Sequence, residues 1–518
     1  MNRRELLVGG AVGAALIAAR RASGIVLLSG HSPGTTAFDY YISTTGSDSN
    51  PGTLASPWAL TSLTTSSANY SKIAGSTIGI LNGTYDISTW SPSAYSAKLT
   101  IPAGLSSTQP TVIQAVNARA VTLKSDPGAS GYVSGSVIGN GANGTGSHQI
   151  CQYITLDGLI ITGGTTVPAS GVSGVTFTGV SPQDSPGIVI QNCEISWFIN
   201  PSGAVNIGCI TWGTGPTGWL IHNCCLHDCY VSGTARYEHD NASGVHDYAG
   251  FGTVEYCSIY GCNNAVYQKN QASTPPPQGD VVRYCYIHPG AGIGLSLAGF
   301  NNSGGTTPPY QAQLFYNNIM ENAPPYDDTN TGANFLQSPT TFSNNTVVWT
   351  YPRQVADTLS FGYWVGPTTG APWKFVTFDN NIGYMSGGAA PGKDPTLLPL
   401  GPTAGDWTRV DYNCYYGATL SFGITSASGV YPPTDYTLAQ WQALTGTPDI
   451  HSLNSDPLMQ FEASSFVADG GSTQYQLQSG SPCKGAGYGG IDIGAWGGTD
   501  VNTGKPIAQI GCNFSAQT

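Results

Sequence analysis

A short pattern returns along the middle of the sequence at intervals of 28 to 36 residues: an apolar residue, any residue, Asn or Tyr, Cys or Asn, any residue, then Ile, Leu or Val. It reads IQNCEI ending at Ile195, IHNCCL at Leu226, VEYCSI at Ile259 and VRYCYI at Ile287. It continues as FYNNI at Ile319, FSNNTV at Val347 and FDNNI at Ile382, with ITLDGL at Leu159 as a first member. Self-similarity at such a period marks a solenoid, in which each repeat buries its apolar face only against its neighbours. The core then lengthens without thickening, so a chain of 518 residues escapes the limit that splits ordinary cores beyond roughly 250–300 residues. Between the repeats lie short β-branched runs separated by Gly, Asn or Pro. Each step therefore predicts one coil of three short strands and not a strand-helix pair.

The fourth position of the pattern predicts one inward-facing stack, read as Asp157, Cys193, Cys224, Cys257, Cys285, Asn317, Asn345 and Asn380. An Asn held inside a bend can hydrogen-bond the backbone of its own and the adjacent coil, satisfying groups that a tight turn would otherwise bury unpaired. Cys fills the same slot as a small apolar residue. Cys229 and Cys262, each five residues after a ladder cysteine, predict a second small stack. Twelve cysteines in a chain this long are too dilute for a disulfide scaffold. No CxxC with a matching second pair is present to suggest structural zinc.

Composition agrees with many tight turns: 69 Gly, 34 Pro and only 9% charged residues. Long amphipathic helices need Glu, Lys and Arg on their wet faces, so they are not expected. Disorder is countered by 40% hydrophobic residues with 28 Tyr and 11 Trp. The net charge of −12 argues against nucleic acid as a partner, since phosphate neutralisation needs clustered Lys and Arg. The N-terminus combines Arg3-Arg4, Leu6-Leu7 and the Gly/Ala-rich run VGGAVGAALIAA, as an export signal does. It resembles a twin-arginine signal, with Glu5 and the second pair Arg20-Arg21 as departures. The run is shorter than the ~20 apolar residues of a membrane span, so no stable span is expected in the mature protein. An exported protein, by the twin-arginine or the general secretory route, is the expectation.

Three stretches resemble the right-handed parallel β-helix superfamily of secreted carbohydrate-active proteins, which includes pectate lyases and the chondroitinase B/alginate lyase group. FDYYISTTGSDSNPGTLASPWALTSL from Phe38, followed by STIGILNGTYDIS, is similar to their opening segment. The Asn/Cys ladder resembles their stacks. DYNCYYG from Asp411, then WQALTGTPDIHSLNSDPL and YQLQSGSPCKGAG, resembles their closing segment. The resemblance implies an all-β fold, a right-handed parallel β-helix, organised as an export signal and linker over 1–37, the β-helix over 38–410 and a closing segment over 411–518. Lyases, hydrolases, epimerases, tailspikes and adhesins share this architecture, so it specifies fold more than chemistry.

A β-helix offers ligands an outer groove between a parallel sheet and the loops around it. The richest insertion is HDCYVSGTARYEHDNASGVHDYAG after Cys224, followed by NAVYQKN in the next coil. Aligning the coils predicts an inward column of Val205, Val245, Val266 and Ile293. The outward columns become Asn206, His246, Tyr267 and Gly294, and beside them Gly208, Tyr248, Lys269 and Ser296. A one-residue slip would turn the set inward.

Eliminative cleavage of a uronic-acid polymer requires a base for the proton α to the carboxyl group and a cation or donor for the enolate. Lys269 is the candidate base, with Tyr267, His246 and Arg236 completing the catalytic set. In the chondroitinase B/alginate lyase relatives the base is such a Lys with an Arg one coil on. Here the next coil, GIGLSLAG, supplies no Arg. Asn206, Trp212, Tyr237, Tyr248, Arg283 and His288 are candidate substrate contacts, aromatic faces serving to stack on sugars. Glu238, Asp240 and Asp247 are candidate Ca²⁺ ligands. Asp327-Asp328 is a weaker candidate for a hydrolase acid/base pair. The sequence thus predicts a secreted polysaccharide lyase acting on a polysaccharide substrate. A glycoside hydrolase on the same fold and a non-catalytic carbohydrate-binding protein are the alternatives.

Overall fold

The computed structural model describes residues 38–90, 97–126, 135–140, 152–167, 172–177, 185–202, 206–213, 216–233, 242–247, 252–268, 280–288, 293–297, 313–321, 325–326, 340–349, 376–385, 396–400, 407–417, 421–424, 437–443, 449–461 and 474–514. The chain winds as a right-handed parallel β-helix whose coils give strands to three sheets. A representative coil runs Val189–Gln191, Glu194–Asn200 and Ile207–Trp212, and the next begins at Trp219–His222. Among the described residues the first and second sheets have twelve strands each and the third has eight, all paired in parallel register with the coil above and below. Successive strands of one sheet are therefore about 4.8 Å apart, and in-register side chains stack in rows.

Three inward rows make the core. The first sheet contributes Ile190, Ile221, Val254, Val282, Phe315, Phe342, Phe378 and Val410. The second contributes Ile161, Ile195, Leu226, Ile259, Ile287, Met320 and Val347. Strand alternation puts every second side chain of each strand into this core, which is why the β-branched runs between turns suffice to build it.

The first and second sheets meet at a two-residue corner whose leading residue is left-handed: Asn192, Asn223, Tyr256, Tyr284, Asn317, Asn344, Asn380 and Tyr412 all have φ between 51° and 60°. Asn tolerates this region better than most residues. The following residue points inward, and these residues form the ladder. Asn318 Nδ2 donates to Asn345 Oδ1 at 3.0 Å, Asn345 to Asn381 at 3.2 Å and Asn381 to Asn413 at 3.1 Å. Each also donates to a carbonyl of the preceding coil, Val282, Phe315 and Phe342 respectively. Cys193, Cys224, Cys257 and Cys285 hold the earlier rungs, all fully buried.

The predicted ladder is thus corrected at three positions. Asn318 and Asn381 take the places expected for Asn317 and Asn380, which are the left-handed corner residues. Asp157 stands in register with Gln191, two residues ahead of its own coil's rung. The consecutive Asn-Asn pairs make the motif ambiguous by one residue, and only the backbone conformation resolves it. Cys229 and Cys262 do stack as a second fully buried group, joined by Cys209.

The C-terminal segment runs back along this corner, against the order of the coils. Tyr488 N donates to Asn380 Oδ1, Asn344 to the Asp492 carbonyl, Asn317 to the carbonyls of Ala495 and Gly497, Tyr256 to Asp500, and Asn513 N to Asn223 Oδ1. Its Met459, Tyr475, Ile493, Ala495, Ile507 and Ile510 form a second core with Tyr256, Tyr284, Tyr286, Ile319, Val348 and Ile382 on the corner and the outer face of the second sheet. At the far end of the helix, Leu438–Gln442 is a short α-helix closed by a capping box between Thr437 and Gln440. Its Trp441 donates to the buried Asp449. No helix among the described residues is long and apolar enough to cross a membrane.

Candidate functional site

The described contacts of the C-terminal segment fall on the first and second sheets and their corner. The third sheet has long connections at both strand ends: residues 232–241 precede Ala242–Asp247, 269–280 follow Asn264–Gln268 and 298–312 follow Ile293–Leu297. The third sheet is thus the one on which no described contact of the C-terminal segment falls.

Its register separates two rows of opposite character. Leu99, Ile138, Val175, Ile210, Val245 and Val266 stack in the core, with Leu295 and Pro325 continuing the row. The adjacent row is Thr100, Gly139, Thr176, Thr211, His246, Tyr267, Ser296 and Tyr326. Apart from Gly139, every residue type in this register row carries a hydroxyl or an imidazole, so the row reads as a polar stripe. A second polar row of Ser136, Ser173, Gly208, Ser243 and Asn264 runs beside it. Ser173 Oγ lies 3.2 Å from Thr211 Oγ1 and accepts from Gly208 N, and Asn264 Nδ2 donates to Ser243 Oγ at 3.4 Å.

At the centre of the stripe the His246 and Tyr267 rings meet edge to face with centroids 4.8 Å apart. His246 is fully buried and Tyr267 2% exposed, whereas the sequence placed both on an open surface. An imidazole titrates near neutrality and a phenol near pH 10 in water. Both rings are shielded from solvent at this contact.

The remaining candidates scatter. Asn206 is half-buried ahead of Ile207–Trp212, and Thr211, five residues on, takes the row position expected for it. Ser296 likewise replaces Gly294, because Leu295 and not Ile293 faces Val266. The connections between second and third sheets differ in length from coil to coil, so counting from the ladder loses the register. Trp212 is a core residue, stacked on Trp219 at 4.8 Å and fully buried, with no face free for a sugar. Asp247 is in register with Trp212 and also fully buried. Arg283 lies on the first sheet, 1% exposed, with Nη2 2.6 Å from Glu255 Oε2 and Nη1 2.6 Å from Tyr316 Oη. His288 follows a strand of the second sheet and stacks on Tyr260. Lys269, Arg236, Tyr237, Tyr248, Glu238, Asp240, Val205 and the Asp327-Asp328 pair lie outside the described residues. Among the described residues no three His, Cys, Asp or Glu side chains converge as a metal site requires.

Sequence reasoning missed one charged cluster, on the outer face of the second sheet. His227 Nδ1 lies 2.8 Å from Asp228 Oδ2, and its Nε2 3.5 Å from Glu194 Oε1, while Arg119 pairs with the other oxygen of Glu194. Burial works against the imidazolium, but hydrogen bonds to Asp228 and Glu194 outweigh it and push His227 up to about 9. The bond from His227, opposed by burial and helped by Arg119, holds Glu194 at about 2. The Arg119 guanidinium lies 4.1 Å from the Phe514 ring centroid, so the cluster bears directly on the end of the C-terminal segment. Glu194 and His227 fall 33 residues apart, one coil, and that spacing is the only trace of the contact in the sequence.

No family model matches this chain, and no curated protein sequence matches it. Solved structures similar to it include pectate lyase Pel9A, at 14% identity over 92% of this chain and 97% of that chain with a TM-score of 0.47. The complex of XylC with xylose is similar at 11% identity over 91% and 98%, with a TM-score of 0.45. The PL6 family polysaccharide lyase Pedsa3628 from Pseudopedobacter saltans is similar at 12% identity over 73% and 88%, with a TM-score of 0.29. The fold itself, an all-β parallel β-helix, is established by this chain's own strand pairing.

Proposed function

We propose that this chain is a polysaccharide-degrading enzyme that cleaves a uronic-acid-containing glycan by β-elimination along the third sheet. The observation that carries the reading is the polar stripe centred on the His246–Tyr267 contact, on a sheet with long connections at both strand ends. Lys269 follows Tyr267 by two residues, just past the end of the strand Asn264–Gln268.

In this reaction Lys269 removes the proton α to the substrate carboxyl group, and the bond to the leaving oxygen breaks as a carbon-carbon double bond forms. Tyr267 returns a proton to the leaving oxygen, and His246 fixes the phenol in place. Arg236 neutralises the substrate carboxylate, a task for a positive charge placed where the enolate develops. An unperturbed lysine is protonated at neutral pH, so the role requires its pKa to fall by roughly 2–3 units through desolvation or a nearby cation. A calcium ion held near Glu238 and Asp240 would be the alternative source of that cation. Export belongs to the same reading, and Lys in place of Arg3 and Arg4 should hold the precursor in the cytoplasm if the twin-arginine route is used.

The test is a panel of pectate, alginate, chondroitin and glucuronan incubated with the purified chain. Elimination yields an unsaturated product that absorbs in the ultraviolet. New reducing ends without that absorbance would mean hydrolysis, and binding without cleavage would mean a carbohydrate-binding protein.

A further inference from the structure

The cysteines divide into two groups by where they point. Cys193, Cys224, Cys257 and Cys285 stack in the ladder, and Cys209, Cys229 and Cys262 form the second inward group, all seven within the main core. The other four described cysteines lie between the β-helix and its C-terminal segment. Cys225 and Cys414 occupy one row of the second sheet, which reads Glu194, Cys225, Ser258, Tyr286, Ile319, Thr346, Ile382, Cys414 and Leu453. The row belongs to the face that the C-terminal segment covers.

At one end of that cover, Cys512 N donates to Ser258 Oγ at 3.0 Å, and Ser258 is the register neighbour of Cys225. Cys225, Cys512 and Phe514 form their own buried cluster, with the two thiols within hydrogen-bonding reach. At the other end Cys414 and Cys483 pack in one cluster with Met459, Tyr475 and Ile493, and their thiols are likewise in contact. We propose that Cys225 with Cys512, and Cys414 with Cys483, are disulfide sites that fasten the C-terminal segment to the β-helix at its two ends.

Contact alone does not single these pairs out, because ladder thiols also touch. Ladder cysteines, however, sit in register on parallel strands held about 4.8 Å apart. A disulfide needs its Cβ atoms at about 3.8 Å with a dihedral near 90°. No strand ladder fixes the spacing of Cys225 to Cys512 or of Cys414 to Cys483, so these pairs can adjust. Each closure proceeds by thiol-disulfide exchange. One cysteine thiolate attacks the disulfide of a thiol oxidant, the second cysteine displaces the mixed disulfide, and the oxidant leaves as a dithiol carrying both electrons and both thiol protons. The contact with Cys512, followed by burial, pushes the Cys225 thiol well up, and the contact with Cys414 does the same for Cys483. Thiolate is therefore scarce once the segment has docked.

The test takes the full chain, directed into the oxidising bacterial periplasm, purified without reductant, denatured and alkylated, then digested and mapped by mass spectrometry. Linked peptides joining Cys225 to Cys512 and Cys414 to Cys483, with the seven core cysteines alkylated, are expected. In the oxidised protein, added reductant should speed proteolytic release of the 474–514 segment at least tenfold. Full alkylation of all four cysteines, a link within the ladder, or release unchanged by reductant would overturn the proposal.

Discussion

The Tyr256 hydroxyl donates to Asp500 Oδ2 at 2.6 Å, tying a corner residue of the β-helix to a segment 244 residues further along the chain. Both groups are buried, and Asn502 Nδ2 also donates to the phenol oxygen at 3.1 Å. Burial and the Asp500 carboxylate raise the phenol pKa, so it remains a donor throughout the working range. Tyr256→Phe leaves Asp500 without this partner and should destabilise the protein by about 1–3 kcal/mol. Chemical denaturation of the variant measures it, and an unchanged midpoint would mean the C-terminal segment adds nothing at this point.

Asn381 accepts from Asn345 N and Nδ2 while donating to the Phe342 carbonyl and Asn413 Oδ1. Asn381→Ala orphans buried groups on three coils and should cost about 3–5 kcal/mol. Asn380→Gly keeps the left-handed corner without strain and loses chiefly the bond from Tyr488 N, so it should cost about 1 kcal/mol. Equal losses from the two variants would contradict the assignment of the rung to Asn381.

The charged cluster gives stability a defined pH dependence. His227 is held at about 9 in the folded chain, above the ordinary imidazole value near 6.5, so folding favours its protonated form. Its contribution is complete below pH 6.5 and is lost as pH rises through about 9, with a size of order 3 kcal/mol. The melting temperature should fall across that window, and His227→Gln should flatten the slope while Arg119, Glu194, Asp228 and Tyr260 remain. A slope unaltered in the variant would assign the effect to another group.

The coil, the strand triplet and the Cys rungs are legible in the sequence because they repeat locally. Asn317 and Asn318 are chemically identical neighbours, so the rung among them is fixed only by which one adopts the left-handed corner. The pairing of His246 with Tyr267 follows from strand alternation between two coils with similar connections. The same counting fails for Thr211 and Ser296, where the connection lengths change. The burial of Arg283 against Glu255 and Asn502 has no local signature at all, since Asn502 arrives from 219 residues away. The four cysteines along the C-terminal segment were hidden for the same reason.

The most direct test of the third sheet as the seat of chemistry is turnover by Lys269→Ala on whichever polysaccharide the parent chain cleaves. Losing a general base costs roughly 10²–10⁴-fold in rate. We predict a fall of that size in kcat with the unsaturated product abolished in proportion, and with KM and the melting temperature nearly unchanged. Turnover equal to that of the parent would contradict the account and leave Lys269 without a catalytic role.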